Sequence, residues 1–537
     1  MNKQNSGIEH AQIQRAKVFD EYNKPYMIVN MGYNRQQSLW LDRFGIKSDK
    51  ILTLFDYYQG TQVIESKRVL PEDIFMSDLD VRYELSDDKP MYLVYENGGN
   101  QGFVGRIHWF NDLPYKQVSF VERFDVYGNL YRVDEYDVRG FLTRSQLYTP
   151  DNKVYAYIWF DLSGRPVITQ QVALNADGEY YTGMYEVVDK HGYRNYYGSF
   201  RDVVIKFLND LNDEYFDINM PNFFVGDRLE GYEDAILHLK RPAIKISHIH
   251  NSHASDVHNV DTSILNNYYL FDFYNKDQYD FYICATNKQT RDVIQRLNLD
   301  GRVFMIPVGL TEKVDKVPMH QRNPHSVLVT ARRAEEKRIE LIIESIGKAQ
   351  KVISDINLDV YGYRDSRNND AAKKKIDAMI EKYGLADKVH IHNYDPDLDA
   401  QRDSHQVYMV FSTMEGFNIA LMEAQNHGEV AVVNDVNYGP NELVVNGKNG
   451  FVVDFSDTDS ASEKLIQLFM DDTLLQSMSD SAYELSTRYS ASVIAGQWQK
   501  LENKALEYWN HTVLREIDST GLDERVDADY NGPIRKD

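Results

Sequence analysis

Two patterns of apolar residues alternate along the chain. In the first, short apolar runs such as Tyr26 to Met31 and Ile51 to Phe55 alternate with stretches of helical periodicity such as Ile8 to Tyr22. Strands that alternate with helices are typical of a parallel sheet. The alternation resumes near Phe200 and continues to about Trp509, so the pattern predicts an α/β fold at both ends of the chain.

The second pattern lies between about residues 118 and 188, where turn signals recur every 11 to 14 residues or so. Runs rich in Tyr, Phe and Val, such as Val154 to Phe160, separate turns such as Gly128-Asn129 and Asp177-Gly178. This spacing predicts an antiparallel β-meander. We expect its aromatic side chains to pack within the sheet. A face that binds an acceptor or forms a homo-oligomer is the alternative.

A polar linker at residues 311 to 325 divides the chain into two α/β halves. Two similar halves joined by a linker imply a cleft between them, where ligands commonly bind. The predicted domains are an N-terminal Rossmann-like domain at 1–80 and 197–310, an inserted antiparallel β domain at 81–196, a C-terminal Rossmann-like domain at 326–490, a crossover helix at 491–515 and a disordered tail at 516–537.

The composition is that of a globular protein, and its charge argues against a general binder of nucleic acid or anionic membranes. The 537 residues carry a formal net charge of −23, and 42% are hydrophobic. The single cysteine, Cys284, rules out an intrachain disulfide framework and fits a reducing compartment. No signal peptide or long apolar run is visible. We therefore expect a cytoplasmic protein, with a peripheral position at the inner membrane face as an option.

The strongest candidate chemistry lies between Glu415 and Glu423, two glutamates eight positions apart. The run from Asn418 to Gln425 has helix-forming residues, so Glu415 is predicted just before a helix and Glu423 two turns inside it. A helix N-terminus suits a phosphate, and carboxylates suit sugar hydroxyls. A surface helix that happens to carry two glutamates would show the same pattern.

A second candidate follows the first strand of the second half, where Arg332 and Lys337 stand five positions apart. Two cations in a strand-to-helix loop can hold a diphosphate from two sides. A solvated, charged helix start is the plain alternative. A third candidate is the pair His250 and His253, which follows a predicted strand at Ile244 to Ile249. With no third ligand nearby in sequence, metal binding by this pair is disfavoured.

Taken together, these motifs resemble the donor site of retaining GT-B glycosyltransferases of family 4. The resemblance rests on Arg332 with Lys337, and on Glu415 with seven residues before Glu423. The N-terminal run Ser6 to Gln12 and the long β insertion narrow it. They resemble the bacterial wall teichoic acid α-glycosyltransferases and the related enzymes that start O-glycosylation of serine-rich repeat adhesins.

The resemblance implies a UDP-sugar donor held by the second half of the chain. Arg332 and Lys337 would neutralise the leaving diphosphate, which is the electrostatic role that dominates such transfers. Glu415 would bond the donor sugar, and Glu423 the ribose diol. The other implied donor contacts are the backbone N–H groups of Gly416, Phe417 and Asn418, the close approach of Gly7 to the phosphates, and Tyr394 beside the base.

The resemblance leaves open which of His250 and His253 lies near the sugar or the reaction centre. It also implies that the anomeric configuration is kept without an enzyme nucleophile. Asp-x-Asp occurs only at Asp78-Leu79-Asp80 and Asp527-Ala528-Asp529, in segments unsuited to a sugar nucleotide. We therefore expect side-chain cations in place of a metal, no cofactor, and activity in chelator.

The start of the chain departs from the family pattern. Family members usually have a strand before the glycine loop, and this sequence shows none before Gly7. We expect either that the first strand is missing from this reading frame or that the sheet lacks it.

Three functions remain open at this point. The slightly favoured one moves glucose or N-acetylglucosamine from UDP-glucose or UDP-N-acetylglucosamine to the hydroxyls of poly(glycerol or ribitol phosphate) teichoic acid. The second is the same transfer to serine or threonine of a serine-rich adhesin, with a non-catalytic paralogue as partner. The net charge of −23 suits it better, because teichoic acid is a polyanion. The third is a non-catalytic glycan-binding subunit, and the retained donor residues argue against it.

Overall fold

The computed structural model describes residues 5–76, 80–97, 102–174, 179–228, 231–515 and 517. The chain divides into two compact units. The first unit is Met1–Asn5 with Pro25–Glu214, and the second is Ser6–Lys24 with Tyr215–Asp537. The predicted domain limits at 80/81 and 196/197 both fall inside the first unit.

The first unit contains a long antiparallel meander. Its ten strands pair in sequential order, each antiparallel to the next. A separate parallel pair, β1 with β2, comes before it in sequence. The elements of this unit are β1 Ile28–Asn30, α2 Gln37–Phe44, β2 Ile51–Thr53, α3 Leu54–Gln59, β3 Val81–Leu85, β4 Met91–Glu96, β5 Phe103–Trp109, β6 Val118–Phe124, β7 Leu130–Tyr136, β8 Leu142–Tyr148, β9 Val154–Phe160, β10 Pro166–Leu174, β11 Tyr180–Val188, β12 Arg194–Tyr197 and α4 Phe200–Glu214.

The second unit holds two parallel sheets. The smaller sheet has the order β13-β14-β15-β16. Its strands and helices, with the helix that opens the unit, are α1 Gly7–Glu21, β13 Phe223–Gly226, β14 Ile244–Ile249, α5 Leu270–Tyr274, β15 Phe281–Cys284, α6 Asn287–Leu297 and β16 Val303–Met305. Because parallel strands are covered on both faces, they are nearly all apolar. Ile244 and Ile246 of β14 pack with Val18 of α1 and with Trp498 and Leu501 of the last long helix.

The larger sheet has the order β19-β18-β17-β20-β21-β22. Its elements, with the helices that follow it, are β17 Ser326–Thr330, α7 Ile339–Ala349, β18 Asn357–Tyr361, α8 Arg367–Tyr383, β19 Val389–His392, α9 Asp399–Ser404, β20 Val407–Val410, α10 Ile419–Asn426, β21 Val430–Asn434, α11 Gly439–Leu443, β22 Gly450–Val453, α12 Thr458–Phe469, α13 Asp472–Ser486 and α14 Ala491–Tyr508. The chain runs outward from β17 in one direction and from β20 in the other. The sheet therefore has its topological switch point between these two strands, where open α/β sheets bind ligands.

The predicted fold class, α/β with an antiparallel β-meander, is confirmed. Two local predictions were wrong. Phe55 lies in α3 rather than in a strand, because the side chain of Thr53 accepts a hydrogen bond from Asp56 N and caps a helix there. Glu423 is one turn inside α10, not two, since it lies four positions after the first helical residue, Ile419.

Parts of the sequence analysis concern residues outside the described ranges. Both Asp-x-Asp segments lie outside these ranges, apart from Asp80. The predicted tail at 516–537 also lies outside them, apart from Ile517. Among the described residues, no helix has both the length and the apolar character needed to cross a membrane.

Candidate active site

The two loops with the predicted donor residues lie at the switch point of the larger sheet. The loop after β17 carries Arg332 and leads into a 3-10 turn at Glu335–Lys337. The loop after β20 carries Glu415 and leads into α10. β17 and β20 pair directly, and parallel strands place their carboxyl ends at one edge of the sheet. The sheet topology therefore brings together residues that are far apart in sequence.

Lys337 and Glu415 form an ion pair at this edge. The ammonium group of Lys337 donates to Glu415 Oε1 over 2.6 Å, and the hydroxyl of Ser412 donates to the same oxygen over 2.6 Å. The side chains of Lys337 and Glu415 are 24% and 10% exposed. This pair joins a cation and a carboxylate in a partly buried position, where charge interactions are stronger than in bulk water.

Arg332 lies in the same loop system and also has acidic partners. Its guanidinium donates to Asp365 Oδ2 over 2.7 Å and also bonds Glu336. The backbone of Glu336 in turn accepts from Thr413 N over 2.9 Å, which ties the β17 loop to the β20 loop. The structure therefore places both basic side chains, Arg332 and Lys337, on the β17 loop, which is bonded to the β20 loop that carries Glu415.

The turn between Glu415 and α10 has a constrained backbone. A Cβ on Gly416 would lie 2.0 Å from the carbonyl oxygen of His250, so only glycine fits there. Asn418 adopts φ +74°, which asparagine tolerates better than most residues, and its side chain accepts from Leu421 N over 2.9 Å. The side chain of Phe417 is 2% exposed and belongs to the core of the larger sheet. Only the backbone of Phe417 is therefore placed to contact a ligand.

Glu423 on α10 is held by two donors. Gln14 donates to its Oε1 over 3.1 Å, and Arg402 bonds its Oε2. His10, one turn before Gln14 on α1, contacts the hydroxyl of Tyr394 over 3.3 Å. Burial lowers the pKa of His10, and the charge of Glu423 opposes that shift. The structure therefore brings Glu423 and Tyr394 together with the two α1 residues.

His250 lies beside the Glu415 turn and bonds a buried aspartate. Its Nε2 is 2.8 Å from Asp227 Oδ1, and its side chain is 4% exposed. Asp227 also accepts from Arg15 and from Gln12 of α1. Burial alone would raise the pKa of Asp227, but the Arg15 guanidinium and the imidazole hydrogen bonds outweigh it and hold that pKa well below its usual range.

His253 occupies a different environment, although it is only three residues away. It is fully buried, and its Nδ1 lies 3.4 Å from the hydroxyl of Tyr438. Burial lowers the pKa of His253 to about 4, so the ring is neutral near pH 7. Of the two histidines, His250 has its backbone against Gly416, whereas His253 packs beneath Tyr438.

One cluster has the spacing of a metal site. Ligand-type atoms of Asp227, His248 and His250 all lie within 4.8 Å of one another. The guanidinium of Arg15, however, bonds both oxygens of Asp227. A cation at this cluster would be repelled by the guanidinium unless Arg15 moved away. The arrangement therefore fits an internal ion-pair network better than a metal centre.

Gly7 is the first residue of α1, which Ser6 and Glu9 cap reciprocally. A Cβ on Gly7 would meet no atom within 4 Å. The described residues alone therefore give no steric reason for glycine at this position, and its predicted approach to phosphates remains a prediction.

Several side chains that support the predicted ones were not predicted from the sequence. Asp227 directly follows β13, and the carboxyl end of a parallel strand was a usable signal. His10 and Gln14, four positions apart on α1, share one helix face. Arg402 gave no local signal, because its partner Glu423 is 21 positions away.

This geometry suits a nucleoside diphosphate sugar. Basic side chains on the loops after β17 can neutralise a diphosphate, and the N-terminus of α10 can face phosphate oxygens. Glu415 and Glu423 can accept hydrogen bonds from sugar hydroxyls, and the backbone of His250 lies against the Gly416 turn.

Comparison with known proteins agrees with this geometry. Residues 311–485 match the family model "Glycosyl transferases group 1". A "UDP-N-acetylglucosamine--peptide N-acetylglucosaminyltransferase GtfA subunit" of Streptococcus agalactiae is 25% identical over 92% of this chain and 95% of that protein. A "Poly(ribitol-phosphate) alpha-N-acetylglucosaminyltransferase" of Staphylococcus aureus (strain COL) is 22% identical over 93% of this chain and 97% of that protein.

A solved structure shows a similar fold over nearly the whole chain. The crystal structure of the pneumococcal O-GlcNAc transferase GtfA in complex with UDP and GlcNAc superposes with a TM-score of 0.79. It is 21% identical and covers 95% of this chain and 97% of that chain. At this identity the likeness shows the fold.

Proposed function

We propose that this chain, a hexosyltransferase with the GT-B fold, moves N-acetylglucosamine from UDP-N-acetylglucosamine to an acceptor hydroxyl. The observation that carries this proposal is the placement of Arg332, Lys337 and Glu415 on bonded loops at the switch point of the larger sheet. Both relatives described above carry N-acetylglucosamine transfer in their names, which supports this donor. A "Poly(glycerol-phosphate) alpha-glucosyltransferase" of Bacillus subtilis (strain 168), 22% identical over 93% of this chain, keeps UDP-glucose as the second candidate donor.

In the proposed reaction, Arg332 and Lys337 bind the diphosphate and stabilise the charge that develops as it leaves. Such electrostatic stabilisation is commonly the largest contribution to catalysis. Lys337 exchanges part of its contact with Glu415 for a phosphate oxygen. Glu415 is then free to accept a hydrogen bond from the donor sugar.

The remaining donor contacts follow the same geometry. Glu423 accepts from the ribose diol, with Gln14 and Arg402 holding its carboxylate in place. The backbone from Gly416 to Asn418 faces the phosphates. Tyr394 borders the base, and Gly7 approaches the phosphates from α1.

The anomeric configuration is kept in the proposed chemistry. The acceptor oxygen attacks the anomeric carbon on the face that the leaving group departs from, and the bond from that carbon to the phosphate oxygen breaks. The acceptor proton passes to the leaving diphosphate. Arg332 and Lys337 neutralise the charge of the leaving diphosphate, so the proposed reaction needs no metal ion.

For the acceptor, the first candidate is serine or threonine of a serine-rich protein. The Streptococcus agalactiae relative is the more similar of the two, at 25% against 22% identity, and its name includes a peptide acceptor. The net charge of −23 also suits a neutral acceptor better than a polyanion. The second candidate is poly(polyol phosphate), which the name of the Staphylococcus aureus relative supports.

An acceptor panel tests both candidates. The purified protein is mixed with UDP-N-acetylglucosamine or UDP-glucose, and with a serine-rich peptide or purified ribitol or glycerol phosphate polymer. Mass spectrometry then measures the sugar added. N-acetylhexosamine on peptide supports the first candidate, and the same sugar on polymer supports the second. Glucose as the only sugar transferred would contradict the proposed donor.

The proposal also includes a location and partners. UDP-sugars are cytoplasmic donors, and the single cysteine is buried and free, so the proposed location is the cytoplasm. A non-catalytic paralogue or a second copy bound through the β-meander is the proposed partner. Size-exclusion chromatography with light scattering would show a dimer or larger species of the purified chain if copies associate.

A further inference from the structure

Asp227 is a heavily bonded, buried carboxylate near the candidate site. Its Oδ1 lies 3.0 Å from Arg15 Nη1, 2.8 Å from His250 Nε2 and 3.1 Å from His248 Nδ1. Its Oδ2 accepts from Gln12 over 3.0 Å and bonds Arg15 as well. A side chain with this many donors has one orientation, and it fixes the groups that bond it.

These bonds determine which ring nitrogen of His250 carries the proton. The carboxylate is ionised, because Arg15 and the imidazole hydrogen bonds hold the pKa of Asp227 well below its usual range despite burial. An ionised carboxylate only accepts hydrogen bonds, so the Nε2 of His250 must donate to it. In the neutral ring the other nitrogen, Nδ1, then has a lone pair and can accept a hydrogen bond.

The backbone of His250 is fixed as well. Its N–H donates to the hydroxyl of Tyr269 over 2.9 Å. Its carbonyl oxygen is the atom that a Cβ on Gly416 would meet at 2.0 Å. The ring of His248 packs against that of His250 with centroids 4.0 Å apart. The backbone of His250 is therefore fixed against the turn that starts at Glu415, and its imidazole is held in one orientation by Asp227 and His248.

We propose that Asp227, anchored by Arg15, is a positioning residue that sets the tautomer of His250 so that Nδ1 accepts a hydrogen bond from a hydroxyl of the donor sugar. This inference rests on the proposed function. It deepens that function because it assigns a role to α1, whose Arg15 reaches the buried carboxylate. Asp227 itself touches no substrate and acts through the histidine.

The first test replaces the carboxylate by an amide of the same shape. Asp227→Asn is compared with His250→Gln and with the double variant, using steady-state turnover of UDP-N-acetylglucosamine and calorimetric binding of UDP. In metal sites, removing a partner that orients a histidine typically lowers activity by roughly 10-fold to 100-fold, and we expect a comparable effect of orientation here. We expect a loss of kcat of that size for Asp227→Asn. The affinity for UDP should not change, because UDP lacks the N-acetylglucosamine whose hydroxyl His250 is proposed to bind.

A matched control separates this role from a purely structural one. Asp272 is a buried aspartate of the same unit that accepts from Ser247 and from Tyr279 over 2.8 Å. Asp272→Asn should change the melting temperature while kcat stays at the wild-type value. In the double variant, Asp227→Asn should add no further loss to His250→Gln, because both changes remove one coupled interaction.

A second measurement reads the tautomer directly. Ring-labelled ¹⁵N histidine spectra, assigned by the signal lost in His250→Gln, should show His250 protonated at Nε2 in the wild type. Asp227→Asn should shift this signal toward a mixture of tautomers. If Asp227→Asn does not fold, Arg15→Gln takes its place, because it loosens the carboxylate and leaves the histidine intact.

Several outcomes would overturn the inference. The first is an unchanged kcat in Asp227→Asn, or in Arg15→Gln where that variant is the substitute. The second is a loss of kcat in the double variant that equals the product of the two single losses. The third is a wild-type His250 that is protonated at Nδ1 alone. A wild type that turns over no donor would instead count against the proposed function. In that case the tautomer measurement still decides whether Asp227 sets the ring.

Discussion

Replacing Lys337 by alanine should have two separate effects, one on stability and one on catalysis. A fully buried ion pair costs roughly 3 to 5 kcal/mol to break by removing one partner, whereas an exposed pair contributes about 0 to 1 kcal/mol. The Lys337 and Glu415 side chains are 24% and 10% exposed, and Ser412 still donates to the glutamate after the change. We therefore expect the free energy of unfolding to fall by about 1 to 2 kcal/mol.

The expected effect on catalysis is larger. Removing one electrostatic donor at a site of developing charge lowers kcat by roughly 10²-fold to 10³-fold, which corresponds to about 2.7 to 4 kcal/mol. A domain with ordinary stability of about 5 to 15 kcal/mol stays folded after the smaller loss above. Lower activity in Lys337→Ala would therefore reflect the chemical step.

The assay measures kcat and KM for UDP-N-acetylglucosamine, together with the melting temperature. Lys348→Ala is the matched control, because this lysine bonds Thr458 and Asp459 away from the candidate site. The reasoning is refuted if Lys337→Ala keeps kcat within about threefold of the wild type, or if Lys348→Ala loses as much activity.

Three further predictions follow from single contacts. Gly416→Ala should lower kcat/KM by at least about 10-fold, because its Cβ would lie 2.0 Å from a carbonyl oxygen. The control is Gly496→Ala on α14, where a Cβ meets no atom within 4 Å. This control should keep activity and gain about 0.5 to 1 kcal/mol in unfolding free energy. Equal activities of these two variants would show that the turn can shift freely. Gln14→Ala removes a donor from Glu423 and should raise the donor KM by up to about 10-fold in initial-rate assays, and an unchanged KM would argue against the ribose contact. Burial lowers the pKa of His253 to about 4, so the unfolded chain takes up a proton before the native one as the pH falls below about 6.5. Stability should therefore be lost between about pH 6.5 and 4, and His253→Gln should flatten the thermal melting curve against pH over that window; identical slopes would contradict this.

The sequence was sufficient for elements with strong local signals. The periodicity of the α1 segment predicted a helix at Ile8 to Tyr22, and the structure has Gly7–Glu21. The strand at Ile244 to Ile249 was predicted with the limits that the structure shows. In both cases the apolar pattern acts within a few positions of the chain, and α1 also has the capping residues Ser6 and Glu9.

Details that depend on tertiary contacts were beyond the sequence. Phe55 is a local exception, because its neighbours are strand-like but Thr53 caps a helix through Asp56 N, three positions away. The support of Glu423 by Gln14, and of His250 by Asp227, joins residues from distant parts of the chain. Nothing local in the sequence distinguishes His250, beside the Gly416 turn, from His253, which is fully buried.

The most direct test of the central claim is release of UDP from UDP-N-acetylglucosamine by the purified protein in excess chelator. The account predicts release that is undiminished by chelator, increases with a serine-rich peptide or a polyol phosphate polymer, and is lost in Lys337→Ala. Folded wild-type protein that releases no UDP, or that needs a divalent cation to do so, would contradict a transferase whose basic side chains take the place of a metal.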